Sequence, residues 1–286
     1  MLRTIEIKQS VFESNDREAD RVRAELKKRG LFLLNLMSSP GSGKTTTLVK
    51  TLGALKDELR IGVMEADIDS DVDAHTVADA GAKAIQLHTG GMCHLTADMT
   101  MQGLEALGTE DIDLAILENV GNLVCPAEFD TGAVKNAMIL SVPEGDDKPL
   151  KYPLMFEVCD VLLINKIDVL PYFDFDLDAV RERAKKRNPK IEIIPISART
   201  GEGIDVWCDW LRREIEEYRR LRGLEEIRPE RPDLGKEGDP WGDFFLRLSK
   251  RPLGFPNKRA FAGKAQPCAG GRIMHTSWNH HGACRL

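Results

Sequence analysis

The chain has 286 residues, 42% apolar and 30% charged, with a formal net charge of −6; this is the balance of a globular protein with enough chain for a sizeable core. No apolar run approaches the length needed to span a bilayer, the first residues lack a signal-peptide core, and six cysteines without regular spacing do not form a disulfide framework. The expectation is a cytoplasmic protein with reduced thiols and no membrane insertion. The charge is uneven: residues 221–286 hold 12 Lys/Arg against 7 Asp/Glu, which leaves 28 against 39 in residues 1–220. An acidic body of net −11 excludes non-specific nucleic-acid binding, which needs a basic face.

Residues 14–29 read as a surface helix, capped by Ser14 or Asn15 and ended by Lys27, Lys28, Arg29 and then Gly30. The apolar run 31–37 follows, of the kind that forms a parallel strand covered on both faces. Further strands are predicted at 61–66, 84–87, 114–117, 138–142, 161–164 and 191–196. Helices are predicted at 45–56, 71–81, 95–107, 177–187 and 204–220. Strands alternating with helices predict an α/β fold with a mostly parallel sheet flanked by helices. The expected organisation is an N-terminal segment with a helix at 1–30, a main α/β domain at 31–220, and a disordered basic tail at 221–286, where Pro, Gly and Arg replace hydrophobic periodicity.

Between the first strand and its helix lies Ser38-Ser-Pro-Gly-Ser-Gly-Lys-Thr-Thr46. It fits the phosphate-loop pattern G-x-x-x-x-G-K-S/T except that Ser38 stands where the first Gly belongs. Gly41, Ser42 and Gly43 would curl the backbone so that its N–H groups face phosphate, Lys44 would reach the β- and γ-phosphates, and the Thr45 hydroxyl would ligate magnesium. Thr46 completes the first helical turn, whose dipole also favours an anion.

Asn165-Lys166-Ile167-Asp168 ends a buried strand. One carboxylate, Asp168, can accept from both guanine donors, the ring N1–H and the 2-amino group; adenine would leave it desolvated and unpaired. Asn165 would tie the loop to backbone and Lys166 would lie along the base. Ser197-Ala198-Arg199 after the next strand is similar to the guanine-contacting loop of GTPases. These features together point to GTP.

Glu118-Asn-Val-Gly121 ends another strand, where GTPases usually carry Asp-x-x-Gly. Gly121 would sense the γ-phosphate, and Glu118 would organise magnesium directly or through water. Asp67, at the end of the second strand, is a candidate for magnesium or for orienting the attacking water; with Lys44 and Glu118 it forms the candidate catalytic set. Cys93, His94 and Cys125 are soft or borderline ligands on two glycine-bearing segments. They suit zinc in tetrahedral or nickel in square-planar geometry, with water or a second copy supplying the rest, but spacing alone favours two buried cysteines and an unrelated histidine. Cys159 and Cys208 sit in apolar contexts and read as core.

The segments 90–94, 118–130, 143–153 and 165–171 closely resemble the HypB family of hydrogenase nickel-incorporation GTPases, across about residues 1–220. Urease nickel-insertion GTPases are similar in the phosphate loop but carry Cys-Pro-His, whereas Ala127 follows Pro126 here. The resemblance implies a P-loop NTPase fold, with a GTPase (G) domain and metal site at 31–220 that binds GTP and magnesium and forms a GTP-dependent homodimer; low intrinsic turnover is expected because no arginine finger stands in a switch loop. It also implies help in loading nickel into a NiFe-hydrogenase large-subunit precursor, together with a HypA-type nickel chaperone. It assigns Cys93, His94 and Cys125 to the G-domain metal site, for nickel or zinc. The alternative function is a metal-storage or scaffold protein with a vestigial nucleotide site, or a urease-type nickel-insertion GTPase. Two departures stand out: residues 1–30 contain neither Cys nor His, unlike the metal-rich N-terminal extension of many relatives, and the tail lies outside the family pattern while holding Cys268, His275, His280, His281 and Cys284. That tail reads as an accidental extension, with a metal-capturing segment as the alternative.

Overall fold

A computed structural model describes residues 7–67, 77 and 80–223, with the side chains of residues 7–10 and 67 outside that description. The described residues lie in the first of two units of the chain, Met1–Ile227. Helix α1 spans Ile7–Arg29, β1 Phe32–Ser38, α2 Lys44–Leu55, β2 Ile61–Asp67, β3 Lys83–His88, α3 Ala97–Leu107 and β4 Leu114–Glu118. A short helix α4 at Cys125–Glu128 precedes β5, Lys135–Ser141; then follow α5 at Pro153–Val158, β6 at Val161–Asn165, α6 at Leu177–Arg187, β7 at Glu192–Pro195 and α7 at Ile204–Leu221.

The seven strands form one sheet in the order β3-β2-β4-β1-β5-β6-β7. Every pairing in it is parallel. The loops that follow the strands therefore all emerge at one edge, which is where ligands bind in open α/β sheets.

Side chains of β1 alternate between the two layers. Phe32, Leu34 and Leu36 pack with Leu48, Leu52 and Leu55 of α2 and with Trp207, Trp210 and Leu211 of α7. On the opposite face Leu33 joins Ala19, Val22 and Leu26 of α1 and Leu104 and Leu107 of α3. Met37 joins a third cluster, with Met155 and Phe156 of α5 and Val180 and Ala184 of α6. Asn35 sits at the same pleat, and three amides cross the sheet there: Asn119 Nδ2 donates to Asn35 Oδ1 (3.1 Å) and Asn35 Nδ2 donates to Asn136 Oδ1 (3.0 Å). Asn136 Nδ2 closes the row on the Val158 carbonyl (3.1 Å), so each of these buried amides is partnered, as burial demands.

Two expectations need correction. Helix α1 begins at Ile7, not near residue 14, so Asn15 does not cap it. Asn15 is instead inside the helix and only 8% exposed, because its amide bonds outward to other segments. Strand β5 begins at Lys135 rather than 138 and gives way to a 3-10 turn at Val142–Glu144. Its polar start is accommodated because Asn136 N–H and Lys135 Nζ both donate to the Asp160 carboxylate (2.8 and 3.1 Å). The predicted helix at 71–81 and the tail at 221–286 lie almost wholly outside the described residues.

Candidate functional site

The phosphate loop runs from the end of β1 to Lys44, the first residue of α2. Gly41 (φ 72°) and Gly43 (φ 98°) hold left-handed backbone, which only glycine adopts without strain. Ser38 occupies the place where the motif has Gly and uses its hydroxyl: it accepts from Lys44 Nζ (3.1 Å) and donates to the Ser39 carbonyl (2.8 Å). Thr45 is half-buried in the first turn of α2, and Thr46 is exposed.

Asn165, fully buried at the end of β6, joins three loops. Its Nδ2 donates to the Ser42 carbonyl (2.9 Å), and its Oδ1 accepts from Ala198 N–H (3.0 Å) and Lys166 N–H (2.7 Å). A Cβ at Gly43 would fall 2.5 Å from Asn165 Nδ2, so the absence of a side chain there is what lets the amide reach the loop. Lys166 (φ 64°) is the non-glycine residue with positive φ among those described, and its Nζ donates to the Gly41 carbonyl (2.7 Å). Asp168 Oδ1 accepts from Ser197 Oγ (2.7 Å), which in turn accepts from Thr200 N–H (3.1 Å). Arg199 is exposed beside them. The carboxylate proposed for guanine is thus already oriented by the serine of the neighbouring loop.

Glu118 is 3% exposed at the end of β4, in register with Leu36 of β1 and Glu65 of β2. Residues in register on parallel strands share a face, so Glu65, also buried, belongs to the same acidic group; the sequence reading did not nominate it. Asn119 N–H donates to the Leu36 carbonyl (2.9 Å), and a Cβ at Gly121 would lie 3.1–3.3 Å from Pro40. The segment after Glu118 therefore rests directly on the phosphate loop. Asp67 ends β2 opposite His88, with its backbone in register.

Cys93 and His94 follow β3, and Cys125 opens α4. Their ligand atoms lie within 4.8 Å of one another. The two sulfurs are 3.1 Å apart, and Cys93 Sγ is 3.9 Å from His94 Nδ1. Two adjacent residues can contribute to one centre because the chain turns at Gly90 (φ 63°) and Gly91 (φ 91°). The His94 ring stacks on Phe129, centroids 3.8 Å apart and planes 18° apart. Asn122, which the sequence reading missed, laces the two loops: its Nδ2 donates to the Cys93 carbonyl (3.3 Å) and its Oδ1 accepts from Val124 N–H (2.8 Å). The hydrogen bond with Cys93 and partial burial hold the Cys125 thiol above its usual range, while Asn122 works in the opposite direction. Burial lowers His94, opposed by the charge of Glu128, so the neutral, ligating form of the imidazole is favoured. Cys159 and Cys208 are core residues as expected, 1% exposed each; burial pushes the Cys208 thiol up to about 11 and that of Cys159 higher still.

Residues 32–195 match the family model of the CobW/HypB/UreG nucleotide-binding domain. The chain is 47% identical over 209 residues to the hydrogenase maturation factor HypB of Escherichia coli K12, an alignment covering 73% of this chain and 72% of that one. It is 36% identical over 215 residues to the probable hydrogenase maturation factor HypB of Methanocaldococcus jannaschii, covering 75% and 97%. Among solved structures it is similar to HypB from Helicobacter pylori in complex with nickel (39% identity, TM-score 0.68, covering 71% of this chain and 96% of that one). HypB from Archaeoglobus fulgidus is also similar (37%, TM-score 0.67, covering 71% and 99%). With the phosphate loop, the loops of Asn165–Asp168 and Ser197–Arg199 and the cysteine–histidine cluster all on one edge of the sheet, the chain belongs to the CobW/HypB/UreG family, among its HypB hydrogenase maturation factors.

Proposed function

We propose that this protein is a GTP-hydrolysing nickel chaperone that assists nickel insertion into a hydrogenase precursor during maturation. The observation that carries the reading is the unbroken run from Gly121, packed on the phosphate loop, through Asn122, bonded to the metal loop, to Cys125 itself. A γ-phosphate that moves Gly121 would move a metal ligand. That is the order–rearrangement logic of GTPase switches.

In this reading Gly41, Ser42, Gly43, Lys44, Thr45 and Thr46 cradle the phosphates, and Asn165, Lys166, Asp168, Ser197, Ala198 and Arg199 read guanine. The oxygen donors suit magnesium: the Thr45 hydroxyl beneath the phosphates, with acidic residues Asp67 and Glu118 ending two nearby strands, form the hard set this ion takes. Asp67 and Glu118 would also orient the attacking water. Intrinsic turnover is slow, because no arginine in the switch segment 118–125 supplies positive charge to the transition state. Cys93, His94 and Cys125 hold nickel as cargo, with zinc as the competing ion, and their incomplete set of three favours completion across a GTP-dependent homodimer. A HypA-type chaperone would deliver the metal and a NiFe-hydrogenase large-subunit precursor would receive it, in the cytoplasm. The well-formed phosphate and guanine loops argue against a storage protein with a vestigial nucleotide site.

Nickel titrations of the apo, GDP-bound and GTP-analogue-bound protein test the linkage. Dissociation constants differing by about 5–150-fold between nucleotide states are expected, and metal must then change nucleotide affinity by the same factor. One constant in all three states refutes the switch.

A further inference from the structure

We infer that helix α1 is part of the metal centre: Asn15 and Phe12, acting through Phe129, are positioning residues that set the ligand geometry. The inference rests on the reading of Cys93, His94 and Cys125 as nickel ligands. Asparagine in a helix interior contributes little to helix stability, so its burial at position 15 needs another reason. Its Oδ1 accepts from Ala97 N–H (3.0 Å) and its Nδ2 donates to the Asp130 carbonyl (2.8 Å). Ala97 opens α3 three residues after His94, so its N–H is one of the orphan donors of a helix start; Thr96 caps Met99 N–H instead. Asp130 lies five residues after Cys125. One side chain of α1 therefore ties the exits of both ligand-bearing loops, while Asn122 ties them at the ligands.

Phe12 precedes Asn15 by three positions and so shares its helix face. Its ring lies 5.0 Å from that of Phe129, tilted by 45°, and Phe129 carries His94 stacked on it. The orientation of the His94 ring is thus set from α1, through two aromatic contacts, in addition to the contact of its Nδ1 with Cys93 Sγ. Arg23 of α1 pairs with the Asp130 carboxylate, and a Cβ at Gly132 would fall 2.5 Å from Val22 Cβ. The seam along one face of α1 holds the loop segment from Phe129 to Gly132 against the helix. A helix that carries no ligand therefore determines how closely three ligands converge, and displacing it would loosen the metal without touching the nucleotide.

The test uses the full chain, with nickel affinity, the thiolate-to-nickel absorption spectrum and GDP affinity measured on each variant. Asn15→Ala and Phe129→Leu should each weaken nickel by about 10–100-fold, the usual effect of residues that orient a metal's ligands, with GDP affinity unchanged. The thiolate-to-nickel bands should persist while the ligand-field bands shift as His94 is freed. Phe129→Tyr, which keeps the stacked ring, should restore wild-type affinity and spectrum. If Asn15→Ala fails to fold, the Phe129 pair decides alone. Wild-type nickel affinity and spectrum in Phe129→Leu would overturn the positioning role. Nickel binding that Cys125→Ala leaves unmoved would instead overturn the ligand assignment beneath it.

Discussion

The two halves of the binding edge are held together in different ways. Around the ends of β1, β6 and β7 the polar side chains bond one another and the backbone directly: Asn165 to Ser42, Ala198 and Lys166, Lys166 to Gly41, and Asp168 to Ser197. Beyond β3 and β4, Cys93, His94 and Cys125 sit on loops tied to each other by Asn122 and anchored from outside by a separate helix, with Cys93 exposed. A reader of one base gains from a template fixed before the ligand arrives. A carrier that must also release its cargo gains from ligands whose spacing can change. The rigid half is built from side chains that lock one another's loops, and the adjustable half depends on a helix that carries none of its candidate ligands.

The hardest break in the rigid half is Lys44→Ala. It should abolish hydrolysis and greatly weaken triphosphate binding while circular dichroism stays native; turnover near wild type would show the phosphate loop to be misread. In the adjustable half, Cys125→Ala removes a proposed ligand outright. Nickel affinity should fall by more than the about 10–100-fold expected of a supporting residue, and equilibrium dialysis should show GTP binding intact. Asp168→Asn exchanges a double acceptor for a mixed donor and acceptor. Guanine nucleotides should lose at least about 2 kcal/mol, and xanthine nucleotides, with a carbonyl at that edge, should gain. Competition binding with GTP and XTP measures both.

The smallest effect expected lies at the opposite edge of the sheet, as a control that touches neither half. Asp113 accepts from Arg60 Nε (2.9 Å) and Arg219 Nη2 (3.0 Å). Burial pushes its carboxyl up, but the bonds and charge of Arg60, with Arg219, outweigh this and hold it below the ordinary carboxylate range. A lowered value in the folded state means the contribution is complete above the unfolded-state value and disappears as pH falls through the folded one. Asp113→Asn should therefore cost about 1 kcal/mol at neutral pH and flatten the acid limb of the stability curve, read by urea unfolding at descending pH.

Much of this was legible because parallel strands announce themselves. The run 31–37 is buried on both faces, so its sequence is continuously apolar, and the loops after it carry glycines at positions where φ is positive. The candidate nucleotide loops could be read because phosphate and guanine chemistry calls for particular side-chain types at short spacings, and Lys44 after Gly43 and Asp168 three residues after Asn165 fit those patterns. The supports of the metal loops could not. Asn15 resembled a helix cap because a polar residue among acids is what a helix start looks like; only the fold reveals that its partners are 82 and 115 residues away. Phe129 and Phe12 carried no signal beyond apolarity, and Glu65 became part of an acidic group only once β2 lay beside β4.

The tryptophan pair of the core gives the phosphate loop an optical readout. Trp207 and Trp210 stack at 5.3 Å with their planes 14° apart, close enough for their near-ultraviolet transitions to couple as an exciton. Trp207 Nε1 donates to the Thr51 hydroxyl (3.0 Å), and Thr51 lies on α2, the helix whose first residue is Lys44. A rotation of α2 on phosphate binding would alter the indole's hydrogen bond and its angle to Trp210 at once. The near-ultraviolet circular dichroism of the protein should therefore change in sign or intensity with nucleotide, and Trp207→Phe should silence that change while leaving the nucleotide bound.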